Sequence, residues 1–166
     1  SSDLHVSGVF FQNAIGGQFQ FIPYRSAGLS TQDLVAGQID MIMDTAATSG
    51  GHVKNGLLKA YAITGKTRST ALPDVPTVDE AGLPGFYFYF WHAIWAPKGT
   101  PKDVIAKLNE AVAKTVADPV TRKRLIDIGQ ELYPAEMSTP AALSAFQKSE
   151  IEKWWPIIKA AGIKAQ

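Results

Sequence analysis

Short apolar stretches of period two alternate along this chain with longer stretches of helical period, and Gly or Pro separates nearly every pair. That order constrains the fold more than any other feature, because strands that alternate with helices pack as an α/β sheet with helices on its faces. A first helix is expected from Ser2, carrying Leu4, Val6, Val9, Phe10 and Ile15 and ending at the Gly16-Gly17 pair, where a left-handed cap is easy. Phe19 to Tyr24 reads as a strand. A second helix from about Leu29 to Ala36 stops at Gly37 and leads into the strand Ile39 to Met43. Another short helix follows Ala46 and ends near Gly56, and Lys59 to Thr64 makes a third strand.

Between Thr70 and Gly85 the chain changes character, with Pro73, Pro76 and Pro84 set among Asp, Glu and Gly. One helical turn is expected at Thr77, with Glu80 three residues on, ending at Gly82. The densest aromatic run follows, Phe86 to Trp95, and high β propensity at nearly every position predicts a buried strand. Thr100-Pro101 opens a helix with Val104, Ile105, Leu108, Val112 and Val116 on one face, and Asp118-Pro119 ends it. A further helix covers roughly Val120 to Ile128. Thr139-Pro140 starts the last one, which Pro156 is expected to kink or break.

Composition excludes several functions. The 16 basic and 15 acidic side chains nearly cancel, so the strong positive field needed for nucleic acid or an anionic membrane is absent. With no cysteine there is no disulfide, thiolate metal site or cysteine nucleophile. No apolar run reaches the roughly 18 residues of a membrane-spanning helix, and the residues after Ser1 show no basic region followed by an apolar stretch, so neither a span nor a signal peptide is expected within them. Residues 1–92 hold five basic and seven acidic side chains and residues 97–166 hold eleven and eight, a shift that weakly supports two units.

Enzymatic signatures are thin. His5, His52 and His92 stand at spacings with no metal-ligand motif, and the nucleophile-elbow, phosphate-loop and dinucleotide glycine patterns are all missing. Asp40 and Asp44 share one side of a strand, but about 13 Å of strand rise separates them, too far for most paired acid-base work. No cofactor is implied. What remains are polar, glycine-rich corners at strand ends, where open α/β sheets bind anions on backbone amides and helix starts. Three qualify: Ser1 to His5, Tyr24 to Leu29, and Asp44 to Gly51. Each residue in them also serves as an ordinary cap or turn.

Several strings carry a family resemblance. Ile22 to Gly28 (IPYRSAG), Asp33 to Asp44 (DLVAGQIDMIMD), His52 to Gly56 (HVKNG), Ala71 to Gly85 (ALPDVPTVDEAGLPG) and Ala96 to Pro101 (APKGTP) resemble, in order, segments of the Bug-type solute-binding receptors of tripartite tricarboxylate transport systems. The resemblance covers essentially the whole chain. It implies a type II periplasmic-binding-protein fold that closes on organic acids: di- or tricarboxylates, acidic amino acids or aromatic acids. It also implies one nearly complete lobe over residues 1–92, the family's second domain with its start missing, and a mostly helical segment over 93–166 belonging to an incomplete first lobe.

On that basis the implied ligand-binding residues are Ser2, His5, Tyr24, Arg25, Ser26, Asp44, Thr45, Trp91 and His92. Ser2 and the helix start would hydrogen-bond a carboxylate, Asp44 and Thr45 would hold ordered water or a ligand donor, Tyr24 and Trp91 would form apolar walls, and Arg25 would pair with an anion. The resemblance further implies a periplasmic location, transporter membrane subunits or a sensor as partners, and a homodimer or association with an N-terminal fragment. Two other readings stay open on the residues alone: a small α/β enzyme acting on a carboxylic acid with His92 or His5 as base, and an interaction module using the aromatic run as a protein-facing patch.

Overall fold

The computed structural model describes residues 2–163, with side chains described from residue 4 onward. Six α-helices form: α1 (Ser2–Ile15), α2 (Ala27–Val35), α3 (Ala46–Lys54), α4 (Lys102–Ala117), α5 (Pro119–Asp127) and α6 (Pro140–Ala160), with a single 3₁₀ turn at Ala135–Met137. Their ends obey local rules. Gly16 takes φ 65°, and the Gly17 amide returns to the Gln12 carbonyl at 3.1 Å, which satisfies a carbonyl that the helix end would otherwise leave open. Ser26, Thr45, Asp118 and Thr139 each cap a helix by accepting from a backbone amide three residues on.

Two helix details differ from expectation. Thr100 does not cap α4, because its hydroxyl donates to the Pro97 carbonyl at 2.8 Å, and Pro101 takes the cap position without a side-chain bond. The last helix runs unbroken through Pro156 to Ala160, so the missing proline N–H costs one hydrogen bond without ending the helix.

The larger difference concerns the sheet. Among the described residues no strand of a ladder forms at 19–24, 39–43 or 86–95, and the sheet is reduced to one parallel bridge, Ile63 with Thr77. Ile63 donates to the Pro76 carbonyl at 2.8 Å, Val78 donates back to Ile63 at 2.9 Å, and on the other side Phe88 donates to Thr64 at 3.3 Å. Residues 63–64 therefore lie between 76–78 and 88. Alternation of apolar side chains states which residues share a face, but it does not supply a neighbouring backbone with which to pair. The aromatic run splits accordingly: Phe86 and Phe88 are buried, whereas Ile94 and Trp95 are 68% and 56% exposed, so of the expected buried strand only the burial at its start is found.

The core gathers around this fragment. Val6 and Val9 of α1 join Ala71, Leu72, Val75, Val78, Phe86 and Phe88 as the buried apolar residues. Phe10 stacks on Phe86 at 4.7 Å and meets Trp154 of α6 edge-on at 5.3 Å, and Trp154 meets Phe88 at 5.0 Å. These rings fix α1, the 86–88 segment and α6 together. At the far side of the connection, Thr77 and Glu80 close the expected capping box: the Thr77 amide donates to Glu80 Oε2 at 2.7 Å and the Glu80 amide to Thr77 Oγ1 at 3.3 Å. Arg68 adds a bidentate pair to Glu80 and reaches the Pro73 carbonyl.

Candidate functional site

The starts of α2 and α3 come together through Asp44. Its Oδ1 accepts from the Thr45 amide at 2.8 Å, and its Oδ2 accepts from the Ser49 hydroxyl and lies 3.5 Å from the Thr31 hydroxyl of α2. Ser26 and Thr45 head the two helices, and neither helix has an acidic residue in its first turn. Glycine supports the α3 corner from outside as well. Gly129, at φ 80° in the turn after α5, lies so close that an added Cβ would stand 2.9 Å from the Ala46 Cβ.

Tyr24 is tied to the same helix pair. Its hydroxyl donates to Asp33 Oδ2 of α2 at 2.7 Å, and this hydrogen bond to a carboxylate raises the phenol's pKa above the ordinary value. Arg25 is exposed and forms no ion pair among the described residues. Thus Tyr24, Ser26, Asp44 and Thr45 share one corner, with Arg25 on its surface.

The remaining expected residues lie elsewhere. His5 packs its ring against Phe21 at 4.9 Å and lines an open hollow of about 450 Å³ with Gln12, Asn13 and the end of α6. Trp91 meets Phe146 of α6 at 5.2 Å and Trp95 at 6.5 Å, and His92 beside it is exposed. The side chain of Ser2 lies outside the described residues.

Two polar residues that bind this corner together, Thr31 and Asp33, escaped the sequence reading, and Ser49 fell inside the Asp44 to Gly51 corner without being singled out. Thr31 had a signal: Ser30 and Thr31 are consecutive and uncharged where α2 turns inward, and both are buried, each donating its hydroxyl to the Ala27 carbonyl one turn back. Ser49 is brought to Asp44 by the start of α3 itself, five residues on.

Chemically the corner offers hydroxyls, backbone amides at helix starts and one committed carboxylate, a set suited to holding an anion or its water. Among the described residues no group of three or more His, Asp or Glu could hold a metal ion, and no helix is long and apolar enough to cross a membrane. The three histidines sit on separate elements: His5 on α1, His52 in the last turn of α3 and His92 in the aromatic run.

Comparison with known proteins bears on the same point. Residues 1–163 match the family described as the tripartite tricarboxylate transporter family receptor. A protein of Agrobacterium vitis, the UPF0065 protein in the TAR-I ttuE-ttuC' intergenic region, is 39% identical over 155 residues, which are 93% of this chain and 45% of that protein. The structure of the periplasmic binding protein BugD is similar with a TM-score of 0.86 at 36% identity, over 98% of this chain and 54% of that one. MatC from Rhodopseudomonas palustris with bound malate also gives a TM-score of 0.86, at 33% identity, over 93% of this chain and 52% of its own. The chain therefore spans about half the length of these relatives, and over that half it has the α/β fold of a periplasmic binding protein. With the match running through essentially every described residue, the chain belongs to the tripartite tricarboxylate transporter receptor family.

Proposed function

We propose that this chain forms part of an extracytoplasmic receptor that captures a small organic carboxylate in the periplasm and presents it to the membrane subunits of a tripartite transporter or to a sensor. Binding and release leave the ligand unchanged; the protein performs no catalysis. Residues 1–92 act as one ligand-binding lobe, and 93–166 return toward the other. The observation that carries this reading is the likeness, along nearly the whole chain, to a receptor solved with malate. The α2–α3 corner is where the carboxylate binds, on the amides and hydroxyls around Ser26 and Thr45, with Arg25 at its edge and Tyr24 as a wall. Ser2, His5, Trp91 and His92 complete the contacts when the lobes close.

A thermal-shift and calorimetric screen of di- and tricarboxylates, acidic amino acids and aromatic acids tests this. At least one carboxylate is expected to raise the melting temperature, weakly for this chain alone and more strongly once the rest of the other lobe is present, and to be recovered intact. Ser2→Ala and Asp44→Ala are expected to weaken its binding more than Arg25→Ala, since lost hydrogen bonds to charged groups cost about 1.5–3 kcal/mol and exposed ion pairs about 0–1 kcal/mol. Turnover of a bound carboxylate that disappears in His92→Ala would overturn the receptor reading in favour of a His-based enzyme.

A further inference from the structure

We infer that Asp44 acts as a clamp that locks the start of α3 to the buried side of α2, so that the two helix starts present themselves to a ligand as one body. The inference rests on the carboxylate-receptor reading for its ligand, but the clamp itself stands on geometry. A carboxylate has about four acceptor positions, and three donors already face those of Asp44: the Thr45 amide at 2.8 Å, the Ser49 hydroxyl, and the Thr31 hydroxyl at 3.5 Å.

Two of these donors belong to the start of α3 and the third to α2. Thr31 is 2% exposed, so it is out of reach of any ligand at the helix starts, and its one hydroxyl hydrogen is shared between Asp44 and the Ala27 carbonyl at 2.9 Å. A negative charge held so close to the α3 start would also repel an incoming carboxylate if it faced the ligand bare. With three donors already facing it, it contributes instead through the positions of Thr45 and of the α2 start that Ser26 caps. Asp44 is then a positioning residue, and a buried hydroxyl that never meets the ligand controls affinity.

Hydrogen exchange and titration calorimetry on the same variants of the full chain test this, with malate as the probe. Asp44→Ala is expected to speed amide exchange in both α2 and the start of α3 while leaving residues 76–88 as protected as before, and to weaken malate binding about tenfold or more. Thr31→Val keeps the side-chain shape, and it is expected to speed exchange in α2 and to lower malate affinity by more than any change in melting temperature explains. Asp44→Ala combined with Thr31→Val is expected to bind no worse than Asp44→Ala alone, because both break the same link. Additive losses would mean that Asp44 touches the ligand itself, and unchanged α2 exchange in Asp44→Ala would mean that there is no clamp; either overturns the inference. If the wild-type chain gives no heat with any carboxylate, one lobe does not bind alone, and the exchange results decide the clamp by themselves.

Discussion

Residues 63–88 and the three helices of residues 102–160 are held in opposite ways. The first region contains six of the eight buried apolar residues among those described, three backbone hydrogen bonds between segments distant in sequence, and the bidentate Arg68–Glu80 pair twelve residues apart. By contrast, α4, α5 and α6 contain no buried residue at all, although α4 carries a full apolar stripe. Their order comes from caps, from i,i+4 pairs and from a few rings such as Trp154 and Phe146 that reach the rest of the molecule. Few ordered turns in one region outweigh many helical residues in the other, because tertiary burial rather than helix propensity supplies most stability.

The sharpest way to break that contrast is to remove one apolar side chain from each region. Phe88→Ala, which deletes a 7%-exposed side chain between Phe90 and Trp154, is expected to cost about 3–5 kcal/mol. Leu108→Ala, on the 46%-exposed stripe of α4, is expected to cost less than about 1 kcal/mol. Equal losses in urea denaturation would show that the α4 stripe is covered by something in solution.

Acid sharpens the contrast next. Glu80 is held down to a pKa of about 2, first by its hydrogen bonds from Arg68 and then by the Thr77 amide. Because the folded pKa lies below the unfolded one, Glu80 contributes stability fully only above the unfolded carboxylate range near 4.3, and that contribution disappears as the pH falls toward 2. Glu80→Gln is therefore expected to melt below the wild type at pH 7, with the gap closing between about pH 4.5 and 2. A gap that stays constant across that window would show that the charge on Glu80 contributes nothing to it.

Most of the helices were legible in the sequence, because their signals are local. Ser26, Thr45, Asp118 and Thr139 cap the helices they head, Gly16 ends α1, and even the one-turn box of Thr77 and Glu80 forms as read. The strands were not, since a strand is defined by the backbone beside it, and Phe19 to Tyr24 or Ile39 to Met43 have none among the described residues. At the candidate site, only local contacts were legible. Tyr24 and Ser26 were chosen in one corner and Asp44 and Thr45 in another, with Ser49 inside the second, whereas Thr31 reaches Asp44 only through the approach of α2 to α3. Trp91 followed the aromatic run toward α6, and His92 beside it is exposed.

Removing a cap tests the local side of the contrast. The Thr139 hydroxyl accepts from the Ala142 amide at 3.1 Å and heads the longest helix. Thr139→Ala is expected to cost about 1 kcal/mol. Were it to cost as much as Phe88→Ala, α6 would be folding as part of the core rather than by its own ends.

The smallest effect expected is also the most specific to the helical region. Glu110 and Lys114 on α4 pair at 2.6 Å with both side chains largely exposed, Glu one turn before Lys, the favourable order along the helix dipole. Such a pair is worth about 0.2–0.5 kcal/mol and is screened, because the Debye length falls to about 3 Å at 1 M salt. Glu110→Ala is therefore expected to lower stability slightly at low ionic strength and not at all at 1 M sodium chloride. Arg68→Ala, which also strips a bidentate partner and a carbonyl contact from the Glu80 turn, is expected to retain a loss at high salt, because hydrogen bonds with fixed geometry outlast a screened charge. If denaturation at both salt concentrations gave the two variants the same salt dependence, the Arg68–Glu80 pair would be a surface ion pair like the others, and the order of residues 63–88 would rest on apolar burial alone.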